Sequence, residues 1–335
     1  MIETALHAHL AAKGAEHADD RGVVLPRHFG DAEAGYRALR DGAAIVDLGF
    51  RTLVRATGVD RVTFLQGMLT NDLTRLEPGR NRPALLLTIQ GRVTADVRVA
   101  TSDDALVLDV DVRARDAMTA ALEKLIIADD VELVPAPAAM IGVEGPGASA
   151  VLERAAVAAP VLRGGDLGAD GFVVHAEPGD ASRVWDALVG AGGRPCGMDA
   201  VEGRRVELGI PRIGLDMDES TLALEVPVDW AVSQTKGCYL GQEVVARGTA
   251  RGHVNRRLVA MTLEGPLPPV GALLVRDGKD VGRLTTVARA YDLGIPAALG
   301  FVRRECWDVG TELAVRHGHA VTIARVASLP LRAEA

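Results

Sequence analysis

Three short stretches hold side chains able to do chemistry. Residues 236–243, "KGCYLGQE", contain Cys238, one of three cysteines in a chain of 335 residues. Residues 91–99, "GRVTADVRV", set Asp96 just past a glycine turn, and residues 203–211, "GRRVELGIP", carry Glu207 near a helix end. A helix over 240–247 would place the Cys238 thiol near free backbone N–H groups and a positive dipole end, with Lys236 adding positive charge, so that thiolate is favoured. The same position suits a small buried cysteine. Asp96, on a strand facing a cleft, could orient an amine or accept its proton; the other fate of such a residue is a solvent-facing ion pair. Glu207 opposes the helix dipole unless something pairs with it, which hints at a ligand. In "ARGTARGHVNRR", Arg247, Arg251, Arg256 and Arg257 form either an anion site or a solvated basic turn.

These residues need elements to hold them. "DAEAGYRALR" has helical composition, and "GVDRVTFLQGMLTNDLTRL" gives an apolar helical stripe with Asp60 as N-cap. "RPALLLTIQGRVTADVRVA" reads as two strands joined at Gln90-Gly91-Arg92, with Thr94, Asp96 and Arg98 on one face. A third strand, "TSDDALVLDVD", and an amphipathic helix, "ARDAMTAALEKLII", follow. "AAMIGVEGPGASAVLERAA" repeats the strand, glycine turn and helix order of "ATGVDRVTFLQG", a structural pseudo-repeat. Strands and helices mingle without βαβ alternation, which predicts an α+β fold. From about Arg257 short alternating strands with Gly and Pro turns predict a small β-barrel or sandwich, so a boundary is expected near residue 255, giving regions 1–255 and 256–335.

Composition narrows the function classes. Hydrophobic residues make up 48% and charged residues 24%, the balance of an ordinary folded protein. No apolar run reaches the ~20 residues a spanning helix requires, and the N-terminus lacks an export pattern. The odd, widely spaced Cys196, Cys238 and Cys306 fit reduced thiols in a cytoplasmic compartment. A net charge of −8 argues against direct nucleic-acid binding and against adhesion to anionic membrane. Phosphate-loop, nucleophile-elbow, zincin and dinucleotide motifs are missing, and "HGH" at 317–319 is too short for a metal site without partners.

"AGYRALRDGAAIVDLGFRTLVRATGVDRVTFLQGMLTNDLTRLEPG" resembles the opening of the tetrahydrofolate-dependent family of the glycine-cleavage T-protein, the sarcosine and dimethylglycine oxidase folate domains, and YgfZ-type proteins. "IGVEGPGASAVLERA", "VEGRRVELGIPRIGLDM" and the β-rich tail continue the likeness in order, over nearly the whole chain. "KGCYLGQE" resembles the signature of the YgfZ branch, whose cysteine is regarded as functional. The resemblance implies three units around a central hole, with folate between the first two and a C-terminal barrel alongside. It implies tetrahydrofolate, or a one-carbon derivative, as cofactor, with iron–sulfur client or assembly proteins as partners and a linked effect on tRNA modification. The alternative it allows is a folate-dependent aminomethyl- or methyltransferase. Where T-proteins carry paired aspartates this chain has Ala95 and Asp96, so one carboxylate of the pair is kept at the position credited with activating the folate amine. Glu207 matches the pterin-binding glutamate of the R-x-E-x-G pattern, and a carboxylate can accept two parallel N–H bonds from a pterin. Lys236, Arg247 and Arg251 are the cationic candidates for the rest of the folate, the two arginines on charge alone.

Overall fold

The computed structural model describes residues 1–251, 254–318 and 320–332, with the side chains of 169, 249–251, 320 and 321 outside that description. The chain divides into two compact units. The first comprises 1–87, 94–201 and 230–240, and the second 88–93, 202–229 and 241–335.

Two five-stranded sheets form the bulk of the first unit. One runs in the order Arg82–Leu87, Val93–Thr101, Leu106–Asp111, Arg51–Thr57 and Glu132–Ala136. Its hairpin turns at Gly91, whose φ of +73° is costly for a residue with a Cβ. Strict alternation follows: Val93, Ala95, Val97 and Val99 are buried, while Thr94, Asp96 and Arg98 share the other face. The second sheet runs Val161–Gly165, Gly168–Ala176, Ala139–Glu144, Ala44–Asp47 and Arg194–Cys196, and its last pairing is parallel. Helices Ala148–Ala155 and Ala181–Gly190 supply Val151, Trp185 and Leu188 to a core shared with Ile45, Ile141 and Val143. This burial of apolar surface is the main stabilising term. The predicted pseudo-repeat is present as strand, turn and helix in each sheet: Arg51–Thr57 then Arg61–Met68, and Ala139–Glu144 then Ala148–Ala155.

The predicted first helix forms over Ala32–Asp41, capped by the Asp31 carboxylate on the N–H groups of Glu33 and Ala34. Asp60 does not cap its helix as expected. Its backbone is already helical and its carboxylate accepts instead from the N–H of Asp130, tying the turn before the helix to the start of the edge strand.

In the second unit six strands close a barrel in the order Arg256–Glu264, Ile295–Arg303, Lys279–Ala290, Leu273–Arg276, Glu312–His317 and Ala320–Ala327. Closure removes the unpaired edges that an open sheet leaves. Met261, Leu263, Leu274, Leu284, Val302 and Cys306 fill the inside. The architecture is the expected α+β fold with a C-terminal β-barrel. No helix among the described residues is long and apolar enough to cross a membrane.

Candidate functional site

Asp96 sits in a ladder of charges built by three adjacent strands. Its Oδ2 accepts from Arg51 Nη1 at 3.1 Å, while Oδ1 is buried and has no hydrogen-bond partner. Arg51 also donates through Nε to Asp109 Oδ1 and through Nη2 to the Asp109 carbonyl at 2.9 Å. Asp109 Oδ2 in turn accepts from Arg98 Nη1 at 3.4 Å, and Arg98 Nη2 reaches Asp166. Burial opposes the charge on Arg51, but Asp109, then Asp96 and Asp166, overcome it and hold the guanidinium protonated. Ala95, where the family pattern has a second carboxylate, points the other way and is 0% exposed. It is a core residue of the sheet.

The far end of the ladder is anchored on a buried acid. Glu144 Oε1 accepts from Asp166 N at 2.6 Å. Burial, and then the nearby Asp166 charge, push the Glu144 carboxyl up to about 8. Room for it exists only because its neighbours are glycines: a Cβ at Gly165 would lie 2.1 Å from Oε1, and one at Gly171 2.0 Å from Oε2. His175, held below its ordinary range by burial, faces the charges of Asp109 and Arg98 and keeps Nε2 without a partner.

Cys238 lies elsewhere in the first unit, on a strap formed by residues 230–240. The strap is laced to the C-terminal end of helix Arg61–Met68. Thr70 Oγ1 donates to Ala231 O at 2.7 Å, Ser233 N donates to Thr70 O at 3.0 Å, and Leu240 N donates to Gly67 O at 3.0 Å. Lys236 is the central fastener. Its Nζ donates to the carbonyls of Gln66, Leu69 and Asn71 at 2.6, 2.6 and 2.9 Å. Those three bonds use every ammonium proton, so Lys236 caps a helix terminus instead of reaching for a ligand as charge alone suggests. Burial lowers it to about 8. Tyr239, buried, places its ring 5.3 Å from that Nζ. Between these fixed neighbours the Cys238 side chain is exposed, whereas Cys196 and Cys306 are buried. The expected helix over 240–247 begins later, at Gln242. The thiol therefore sits in irregular chain four residues ahead of the first helical residue, not on the helix terminus.

Beside the strap, a cavity of about 310 Å³ is lined by Asn71, Arg80, Asn81, Arg82, Pro83 and Trp230 among others. Asn71 Nδ2 donates to Pro83 O at 2.7 Å and Trp230 O at 3.3 Å, which joins strap and sheet.

Glu207 belongs to the second unit, on helix Met198–Leu208, and is 0% exposed. Its carboxylate accepts from Arg204 Nη1 at 3.3 Å and from Asp292 N at 3.3 Å. The misfit with the dipole is thus answered inside the protein. The arginine of the same pattern, Arg205, is buried with Asp216 at 2.5 Å, Glu202 at 2.5 Å and Thr286 Oγ1 at 2.8 Å, fastening the helix to a barrel strand. Arg247 is exposed on helix Gln242–Arg251, paired with Glu243 one turn earlier. Arg251 ends that helix, and its side chain lies outside the described residues. Arg256 stacks on Phe301, 4.4 Å from the ring centre, and donates to Glu225, and Arg257 stacks on Trp307 at 4.6 Å. The basic cluster is therefore spread over separate structural partners. His317 Nε2 lies 2.9 Å from Thr322 Oγ1, and His319 lies outside the described residues. Among the described residues no group of three or more His, Cys, Asp or Glu could hold a metal ion.

Of the expected residues, then, the first unit holds Asp96, Lys236 and Cys238, and the second Glu207 and Arg247. Sequence reasoning misses Arg51 and Asp109. Asp109 stands in "LVLDVD", a carboxylate inside an apolar strand, which is a usable signal; nothing in "GFRTLVRA" marks Arg51 as buried.

Two family descriptions match the chain: the GCVT N-terminal domain over residues 6–161 and 154–236, and the glycine cleavage T-protein C-terminal barrel domain over residues 256–331. The chain belongs to the glycine cleavage T-protein family. Among its relatives, an aminomethyltransferase of Thermus thermophilus is 31% identical over 327 residues, covering 90% of this chain and 91% of that one. The aminomethyltransferase of Geobacillus kaustophilus (strain HTA426) is 27% identical over 342 residues, 94% of each chain. The crystal structure of glycine cleavage system aminomethyltransferase T from Bartonella henselae superposes with a TM-score of 0.89 over 98% of this chain and 97% of that one, at 22% identity, a likeness of fold.

Proposed function

We propose that this chain binds tetrahydrofolate and passes one-carbon units to or from it, as an aminomethyl- or methyltransferase. The observation that carries the reading is Asp96: a carboxylate with one oxygen fixed by a buried arginine and the other buried without a partner. A buried acceptor in that condition favours a ligand N–H, because leaving it unpaired costs about 1–3 kcal/mol. Tetrahydrofolate supplies the amine nitrogens that carry the one-carbon unit. Asp96 would accept the N–H of one of them. Relatives named aminomethyltransferase that match along nearly their whole length support the same class. Glu207 is the candidate for the pterin, and to bind it would exchange its contacts with Arg204 and Asp292. Arg247 and Arg251 remain the candidates for the acidic tail.

The test is a titration of the purified protein with tetrahydrofolate, followed by assay for methylene- or methyl-folate with candidate amine donors. Asp96→Asn should weaken binding by about tenfold or more, since a hydrogen bond to a charged acceptor contributes roughly 1.5–3 kcal/mol. Unchanged affinity in that variant, or no one-carbon product above it, removes this reading.

A second reading is favoured by Cys238, exposed on a strap that pins its neighbours. In it the folate protein serves iron–sulfur enzymes, with a linked effect on tRNA modification, as the YgfZ-like "KGCYLGQE" implies. A deletion strain complemented with Cys238→Ala should then recover little [4Fe–4S] enzyme activity while the variant protein keeps its melting temperature. Full rescue would exclude the thiol from any such role.

A further inference from the structure

We infer that Arg51, locked in place by Asp109, is the positioning residue that aims Asp96 at its ligand. The inference rests on the proposed role of Asp96 as acceptor for a folate amine, and goes beyond it by naming what sets that residue's geometry.

Arg51 opens its strand with a side chain 2% exposed, and Asp109, on the neighbouring strand, is 1% exposed. Two of the guanidinium's edges are held by this one residue, Nε by the Asp109 carboxylate and Nη2 by its backbone carbonyl at 2.9 Å. A planar fork held at two points, one on the buried carboxylate and one on the backbone carbonyl of the same residue, has its plane fixed. Nη1 is then delivered to a set location, where it meets Asp96 Oδ2 at 3.1 Å. Because a carboxylate is also planar, fixing Oδ2 and the strand-borne Cβ together decides where Oδ1 points. Oδ1 is the oxygen without a partner.

Without Arg51 the Asp96 side chain, 17% exposed, could turn toward Arg98 on its own strand face, and a ligand would have to reorder it. Ordering a side chain ahead of binding lowers that cost. Arg51 itself is too buried and too fully used to touch a ligand, which makes it a positioning residue. Lysine could supply the charge but not the two-point hold on Asp109 together with the third bond to Asp96.

The experiment is a double-mutant cycle on tetrahydrofolate affinity, using the full chain and the variants Arg51→Lys, Asp96→Asn and the pair. If Arg51 acts through Asp96, Arg51→Lys weakens binding by about tenfold in the parent and produces almost no further loss in the Asp96→Asn background. A general structural role would give the same fold-loss in both backgrounds, and that result overturns the inference. So does unchanged affinity in Arg51→Lys. Should Arg51→Lys fail to fold, Asp109→Asn, which loosens the guanidinium without changing its charge, completes the same cycle with the same two outcomes. If Asp96→Asn alone leaves affinity untouched, the functional reading has failed first, and the two failures are told apart by that single variant.

Discussion

Asp96 and Glu144 sit at opposite ends of one buried chain of charges, and they face opposite demands. Asp96 is tied to the Arg51 guanidinium, whose Nη1 donates to its Oδ2 at 3.1 Å. Glu144, enclosed by Gly165 and Gly171, is pushed up to about 8 because burial penalises its charge. That shift has a direction in stability. Between the ordinary value of 4.5 and about 8 the folded chain keeps a proton on Glu144 that the unfolded chain has released. Stability therefore falls as pH rises through this window, by at most about 1.4 kcal/mol per pH unit for the one group. Asp47, raised to about 6 by burial, adds to the fall in the lower half. Glu144→Gln keeps the shape and cannot ionise, so its urea midpoint should drop less between about pH 5 and 8 than the parent's. Equal slopes in the two proteins would show that Glu144 holds no proton in the fold.

At the scale of the element, the strap of residues 230–240 has almost no regular structure and depends on its bonds to the end of helix Arg61–Met68. The last carbonyls of a helix lack partners within it, and Lys236 supplies one to Gln66 in the last turn, together with the C-cap Leu69 and Asn71 just beyond. Lys236→Met preserves the apolar stem and deletes three charge-assisted bonds, each contributing roughly 1.5–3 kcal/mol. Hydrogen exchange should then accelerate at residues 66–71 and 230–240, while the barrel strands keep their protection. Unchanged exchange in the strap would mean that Thr70, Ser233 and Leu240 suffice. The same element explains why sequence misleads about the lysine beside Cys238: "KG" ahead of a cysteine looks like an electrostatic aid to a thiol. Its true partners, the carbonyls of Gln66, Leu69 and Asn71, are some 165 residues or more away along the chain.

For the whole molecule, the legible features are the local ones. Alternation in "GRVTADVRV" sets Asp96 and Arg98 on one face because side chains in a strand alternate regardless of what packs on them. Gly91 marks a hairpin, Asp31 a helix start, and the change of texture near Arg257 a barrel, each decided by neighbours a few residues away. The order of family landmarks along the chain implies the fold, which the T-protein family match and the superposition bear out. Tertiary structure alone decided which charges are buried and who answers them. Arg51 became the neighbour of Asp96 only when strands 45 positions apart in sequence came into one sheet. Glu207 found Arg204 one helical turn away but Asp292 only through folding, and Cys238 came to lie exposed on a strap ahead of the helix that starts at Gln242. The division has a physical cause. Backbone geometry and hydrophobic periodicity act over short sequence distances, whereas desolvating a charge depends on every segment that closes over it.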